Sequence, residues 1–542
     1  MRRLIILALA LLLLAPPGRA FAHGLGVSQD LPLPLWVSLY GAAVVVLISF
    51  VAISLFGDLF VGVDYAPRRY TRVNLLRNEA LRKVLTREAF LLGLRLLSVA
   101  LFLLVILSGF FGRQAPGSNF APTFVWITWW VGLGFFTAFV GNVWPLVSPW
   151  KVLFEWAEGF ARRLGAKKGL ELGVPYPAAL GVWPALALFA LFVWVENIFE
   201  GSSTPFNIAL FALLYSMFTW SGMAAFGKET WLRRGEAFSA FFGVLARFAP
   251  TEVRVTDPKI CEECSGTCRT AEGECLNCYE CFARATPEDR ELNLRPWAVG
   301  LRSAERASPD RLVFVVFVLA SVTYDGLLAT PVGAGLPIPQ TLGLVAVPLF
   351  FLAVYLGFVK LSQLFVGGRV PFGRFAGAYV YSLVPIAIAY QVSHYFTLLL
   401  VQGQAIIALL SDPFGWGWDL FGTAGYTINA GLIGASTVWK VQVALIVGGH
   451  IIAVYLAHVV ALRSLRNPKL AMRSQYPMIV LMIFYTVFSL WILSQPIVGK
   501  DNVAAQTRDP AQAVASVSSR GYVDGLYWTG ASALIPIGTV WT

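Results

Sequence analysis

The chain has 542 residues, 57% of them hydrophobic and only 13% charged, with a formal net charge of +11. Repeated apolar runs of about 20 residues match a hydrocarbon core of roughly 30 Å, which marks a polytopic membrane protein rather than a soluble domain. The positive charge carries no nucleic-acid signal, because the basic residues sit in short loops between apolar runs and act as topology determinants.

The N-terminus reads as an export signal. Arg2 and Arg3 precede an apolar run from Leu4 to Ala15, a Pro-Pro-Gly break and the small-x-small sequence Ala20-Phe21-Ala22. Cleavage after Ala22 would leave His23 first, and an uncleaved signal anchor is the alternative. Ten spans follow, at 35–57, 88–112, 123–145, 179–199, 205–227, 311–330, 341–361, 375–401, 438–462 and 475–495. The fold expected is an all-α polytopic membrane protein in five segments. These are a signal peptide (1–22), a first membrane half (23–227), a cytoplasmic cysteine-rich metal-binding insertion (228–309), a second membrane half (310–495) and an exported tail (496–542).

With the mature N-terminus outside, the loops at 58–87, 146–178, 228–309, 360–374 and 463–474 are cytoplasmic and hold 31 of the 41 Lys and Arg. The outer loops and tail hold Arg113, Lys500, Arg508 and Arg520. Basic side chains resist translocation, so the expected location is a bacterial inner membrane with both termini outside. The apolar stretch 522–542 carries Asp524, Gly and Pro; it reads as interfacial or re-entrant, with an eleventh span as the alternative. Five spans on each side of the insertion would permit an inverted repeat, although no repeated sequence supports one.

All six cysteines lie between Cys261 and Cys281, as C-x2-C-x3-C-x6-C-x2-C-x2-C. On the reducing side of a membrane such crowding points to thiolate ligands for a metal, not to a disulfide framework. Cys275, Cys278 and Cys281 have the C-x2-C-x2-C spacing that wraps an iron–sulfur cluster and resemble the bacterial ferredoxin motif. That motif's fourth cysteine is replaced here by Ala285, so Cys261, Cys264 or Cys268 must supply the last ligand, or the cluster has three irons. Zinc held by the pairs Cys261/Cys264 and Cys278/Cys281 is the competing assignment.

The histidines are His23, His394, His450 and His458, the last three in predicted spans, where an ionisable group is a functional-site candidate. His394 and His450 could share a metal such as copper or clamp haem b from two helices, whereas His458 reads as a contact near the cytoplasmic end. Glu196, Asp325, Asp412 and Asp419 collect on the expected outer side. With His23, whose amine and imidazole suit copper, they could close an outward metal site. Asp412, followed by Pro413, reads instead as a cap. No G-x-S-x-G, H-E-x-x-H or P-loop motif is present, which leaves serine hydrolases, zincins and nucleotide-driven pumps unsupported.

Several segments resemble the bacterial polytopic membrane proteins known as fenitrothion hydrolases. They are Gln29-Asp-Leu-Pro-Leu-Pro-Leu-Trp36, Asn142-Val-Trp-Pro, Ser148-Pro-Trp150, Val322-Thr-Tyr-Asp-Gly326, Asp419-Leu-Phe-Gly-Thr423 and Gly449-His-Ile-Ile-Ala-Val-Tyr-Leu-Ala-His458. The cysteine loop is no part of that pattern. The resemblance implies organophosphate triester cleavage by a metal-activated water, with Asp325, His394, Asp419 and His450 as the catalytic set and His23 in support. A native substrate cannot be carried over from such a name. Two other functions fit the residues: an iron–sulfur electron-transfer subunit working with quinone and redox partner subunits, and a transporter of a metal or small anion.

Overall fold

A computed structural model of the protein describes residues 34–61, 70–166, 169–262, 269–270, 273–302 and 306–495, with 54–61 as backbone alone. The signal peptide, His23, Cys264, Cys268 and the tail lie outside these residues.

Among the described residues, ten helices are long and apolar enough to cross a membrane: Leu35–Ile53, Glu88–Phe111, Phe120–Phe139, Ala178–Asn197, Pro205–Phe226, Pro309–Leu328, Gln340–Phe365, Phe372–Leu400, Ala435–Leu465 and Pro468–Ser494. Each predicted span overlaps one of them. Spans six and eight form the centre. Every residue of span six from Phe314 to Gly326 is buried, the pattern of a helix surrounded by protein rather than lipid. Spans eight and nine approach closely because Gly449 leaves room: a Cβ there would lie 2.5 Å from that of Ala389 and 2.8 Å from the Pro385 carbonyl.

The third span of each half departs from α-helical geometry. In span three, Phe124–Gly132 is π-helical, and the wider turn brings residues four apart nearly into line. Trp126 and Trp130 thus both reach the end of span four, donating to the Ser202 carbonyl and to Glu196. In span eight a 3-10 turn, Val380–Leu383, joins Phe372–Tyr379 to Val384–Leu400. Pro385 supplies the cause, since it lacks an amide hydrogen and crowds the carbonyl four residues earlier.

No strand is expected from the sequence, but the connection between spans five and six carries most of a small antiparallel sheet. Its strands are β1 (Val73–Asn74), β2 (Thr251–Val255), β3 (Cys275–Leu276) and β4 (Arg290–Leu294), in the order β1-β4-β2-β3. Val253 faces Leu292, and Val255 faces Cys275. β1 comes from the loop between spans one and two, so both membrane-half loops build the cysteine module. The insertion expected at 228–309 is also divided. Its helix Ala237–Leu245 packs Phe238 and Phe241 against Trp129, Trp130 and Phe189 of the membrane half.

Two junctions fix the module to the membrane half. At the first, the sequence Asn142-Val-Trp-Pro acts through Trp144, which donates to Glu236, and through the Asn142 carbonyl, which accepts from the Tyr279 hydroxyl. At the second, the Glu252 carboxylate is fully buried and receives Arg72 Nε, Arg295 Nη1 and the Tyr70 hydroxyl, each at 2.6 Å. Burial, and then the Glu252 charge, pushes the Tyr70 hydroxyl up from its ordinary pKa. Replacing Glu252 by Ala leaves the buried Arg295 guanidinium without its carboxylate, while Arg72 keeps Glu274, at a cost of about 3–5 kcal/mol. The expected outcome is a lowered unfolding midpoint and faster proteolysis between residues 255 and 290, with Glu252→Gln the milder change.

Candidate functional site: a polar centre among the spans

Asp325 lies three residues before the end of span six, about 4.5 Å from it, and His394 about 9 Å from the end of span eight. Spans four, six and eight run in the same direction, so the ends that carry Glu196, Asp325 and His394 face away from the cysteine module. All three side chains turn into protein. His394 Nε2 donates to Asp325 Oδ2 at 2.8 Å, and the Tyr395 hydroxyl lies 2.8 Å from the same oxygen. Tyr395 is also 3.2 Å from Glu196 Oε1, which accepts from Trp130 Nε1 at 2.7 Å.

Counting hydrogens gives this chain a direction. A tyrosine hydroxyl has a single hydrogen to give. If Tyr395 gives it to Asp325, its contact with Glu196 is a hydrogen bond only when the Glu196 carboxyl brings a proton of its own. The arrangement then runs from Glu196 through Tyr395 to Asp325, with His394 donating from the other side.

Polar side chains continue inward from there. The Tyr390 ring stacks on His394 at 6.2 Å between centroids, and its hydroxyl is buried with no hydrogen-bond partner among the described residues. Gly326 makes room for that hydroxyl, because a Cβ would lie 2.2 Å from it. Thr323 bonds the Tyr485 hydroxyl, and the Tyr485 ring lies 5.8 Å from that of His450. His450 Nδ1 donates to the Ile446 carbonyl at 2.8 Å, which leaves Nε2 of the neutral ring as an acceptor, buried and unpartnered among the described residues.

Of the four residues expected to be catalytic, Asp325 and His394 are in contact. His450 packs on Tyr485. Asp419 is exposed and accepts from the Ala424 amide, a loop contact on the surface. Asp412, just past the end of the helix Ala405–Ser411, accepts from the Trp416 and Gly417 amides of the loop that follows. His458 hydrogen-bonds the Gln475 amide at 3.0 Å. Sequence reasoning left Tyr395, Trp130, Tyr390 and Tyr485 out of the site. The one available signal was Tyr395 beside His394, a hydroxyl next to an ionisable residue within an apolar run.

The cysteine module is a separate place. Among the described residues, the only His, Cys, Asp or Glu group of three or more with converging ligand atoms is Cys261, Cys275 and Cys281, all buried and with sulfurs within 4.8 Å of one another. Cys261 and Cys275 are at disulfide distance, and Cys281 is 3.9 Å from Cys261. Cys278 is buried in the same small core. The converging trio is therefore not the Cys275/Cys278/Cys281 triplet that spacing favours. Cys275 sits on β3, Cys281 on the helix Tyr279–Arg284, and Cys261 on the helix Pro258–Glu262, three elements that pack around Val255.

Gly326→Ala should drive the new methyl into the Tyr390 hydroxyl and cost about 1–3 kcal/mol, as overpacking does. Adding Tyr390→Phe should restore most of the loss, measured as the thermal unfolding midpoint in detergent. Set beside known proteins, the chain matches no family model, no curated protein and no solved structure.

Proposed function

We propose that this chain is an ion-coupled membrane transporter whose Glu196–Tyr395–Asp325–His394 centre takes up a proton or a small cation. The observation that carries the proposal is the buried hydrogen-bonded pair of carboxylates joined through one hydroxyl. Ionisable groups inside a membrane protein are costly and mark ion pathways and proton relays. A proton can enter or leave such a chain by small shifts of hydrogen between oxygens already in contact.

Two further observations favour transport. The centre draws on spans three and four of one half and spans six and eight of the other. The third span of each half is also irregular, and interrupted helices at matching places in two halves are a mark of transporter binding sites. In the orientation we propose, the basic loops and the cysteine module lie in the cytoplasm and the centre lies toward the outer side. Hydrolysis at a metal-bound water has less geometric support, because only Asp325 and His394 of its four expected residues meet.

For the module we propose that Cys261, Cys275 and Cys281 grip one metal, as zinc or as part of an iron–sulfur cluster. A small sheet with two-residue edge strands needs such a staple.

Reconstituted vesicles with a trapped pH-sensitive dye test the transport reading. Wild-type protein should move protons when a potential is imposed, and Tyr395→Phe and Asp325→Asn should slow this on the order of a hundredfold, the low end of what a positioned proton-transfer group contributes. Absent flux, or equal flux in the variants, overturns the reading. For the module, protein purified without oxygen should contain iron or zinc, and Cys281→Ser should lose nearly all of it, more than Cys278→Ser does. A metal-free wild type whose Cys261 and Cys275 resist alkylation would instead establish a disulfide.

A further inference from the structure

Two polar atoms deep in the membrane domain are buried without a hydrogen-bond partner among the described residues, the Tyr390 hydroxyl on span eight and His450 Nε2 on span nine. Their needs are complementary. Tyr390 has a hydrogen to give, and His450, whose Nδ1 hydrogen goes to the Ile446 carbonyl, has a lone pair to fill.

Helix packing brings both to one place. Spans eight and nine touch at Ala389 and Gly449 and run in opposite directions. Each residue advances an α-helix by about 100° and 1.5 Å, so in antiparallel helices the next side chains, Tyr390 and His450, turn to the same side of the seam, about 3 Å apart in height. On that side stand Thr323 and Gly326 of span six and Tyr485 of span ten. The Tyr390 hydroxyl lies over Gly326, within electrostatic reach of Asp325 and Tyr485, and the Tyr485 ring packs on His450. Thr323 gives its own hydrogen to the Leu319 carbonyl, so Tyr485 donates to the Thr323 oxygen and keeps its own oxygen as an acceptor. Span one also packs along span nine, and within Leu35–Ile53 its only ionisable side chain is Tyr40.

A buried donor and a buried acceptor left unmatched are costly, and one water answers both. It accepts from Tyr390, donates to His450 Nε2, and has a second hydrogen for the Tyr485 oxygen. We infer that Tyr390, His450 and Tyr485 bind a water among spans six, eight, nine and ten, and that this water relays a proton from the Asp325–His394 pair to His450. The inference rests on the proton-path reading and extends it, because with Ala389 and Gly449 level, His450 sits about 9 Å nearer the module side than His394. In the relay Tyr390 passes its hydrogen to the water and regains one from the Asp325–His394 pair, while the water passes one of its own to Nε2. One proton moves, His450 becomes an imidazolium, and the tyrosine and the water are regenerated.

The full chain is tested in vesicles with a trapped pH-sensitive dye and by electron cryo-microscopy at a resolution that shows ordered water. Density within hydrogen-bond distance of both Tyr390 Oη and His450 Nε2 is expected. Tyr390→Phe and His450→Gln, at the wild-type unfolding midpoint, should each slow proton flux roughly a hundredfold. A wild type without flux sinks the transport reading and the relay together. Wild-type flux that falls in Tyr395→Phe but is unchanged in either Tyr390→Phe or His450→Gln overturns the relay alone, as does a map with ordered water elsewhere and none between the two atoms. Should His450→Gln show no unfolding transition, Tyr390→Phe is judged by itself.

Discussion

A carboxyl group among membrane spans has no water to turn to, and each one must find hydrogen-bond donors in neighbouring helices or destabilise the fold. Asp325 and Glu196 set this condition for the membrane domain. Asp325 is met by His394 and Tyr395 from span eight, and Glu196 by Trp130 from span three and by the same tyrosine. Four spans from both halves are thereby held in one register. The π-helical stretch of span three serves this demand, because it delivers the Trp130 indole to Glu196. Gly326, one residue past Asp325, admits the tyrosine that backs His394.

Span eight links this centre to the module side. Its C-terminal part carries His394 and Tyr395; its 3-10 turn carries Tyr381, whose ring centroid lies 4.4 Å from the guanidinium of Arg247. Thirteen residues separate Tyr381 from His394, about 20 Å of helix. A shift of Arg247 would act through that ring on the turn, which is the part of the helix with the weakest internal bonding. Coupling along this route would be physical contact from end to end.

The spans were legible because a long apolar run has few alternatives in a chain this poor in charge. Asp325 and His394 were legible for the same reason, as ionisable residues where ionisation is expensive. Their partners were not. Tyr395, Trp130 and Tyr390 look like ordinary aromatic core in a sequence rich in such residues, and only tertiary packing brings Glu196 to them. Asp419 and His450 have the right chemistry but their backbone contacts hold them elsewhere. The sheet escaped because strands of two to five residues in a charged connection have no periodicity to read. Cysteine spacing alone does not show which sulfurs converge, because β3 and two short helices bring Cys261 to Cys275 and Cys281 from separate elements.

How the polar centre treats charge follows from where it sits. In the polar centre the described groups satisfy one another with few donors to spare, so a single proton added or removed must rearrange the chain of hydrogen bonds. On the transport reading proposed above, the centre answers to one proton and the interrupted helix that carries it is the gate. Gating in this form requires the turn at Val380–Leu383 to have two arrangements of similar energy. Pro385 favours that, because it removes the hydrogen bond that would otherwise lock the turn as α-helix.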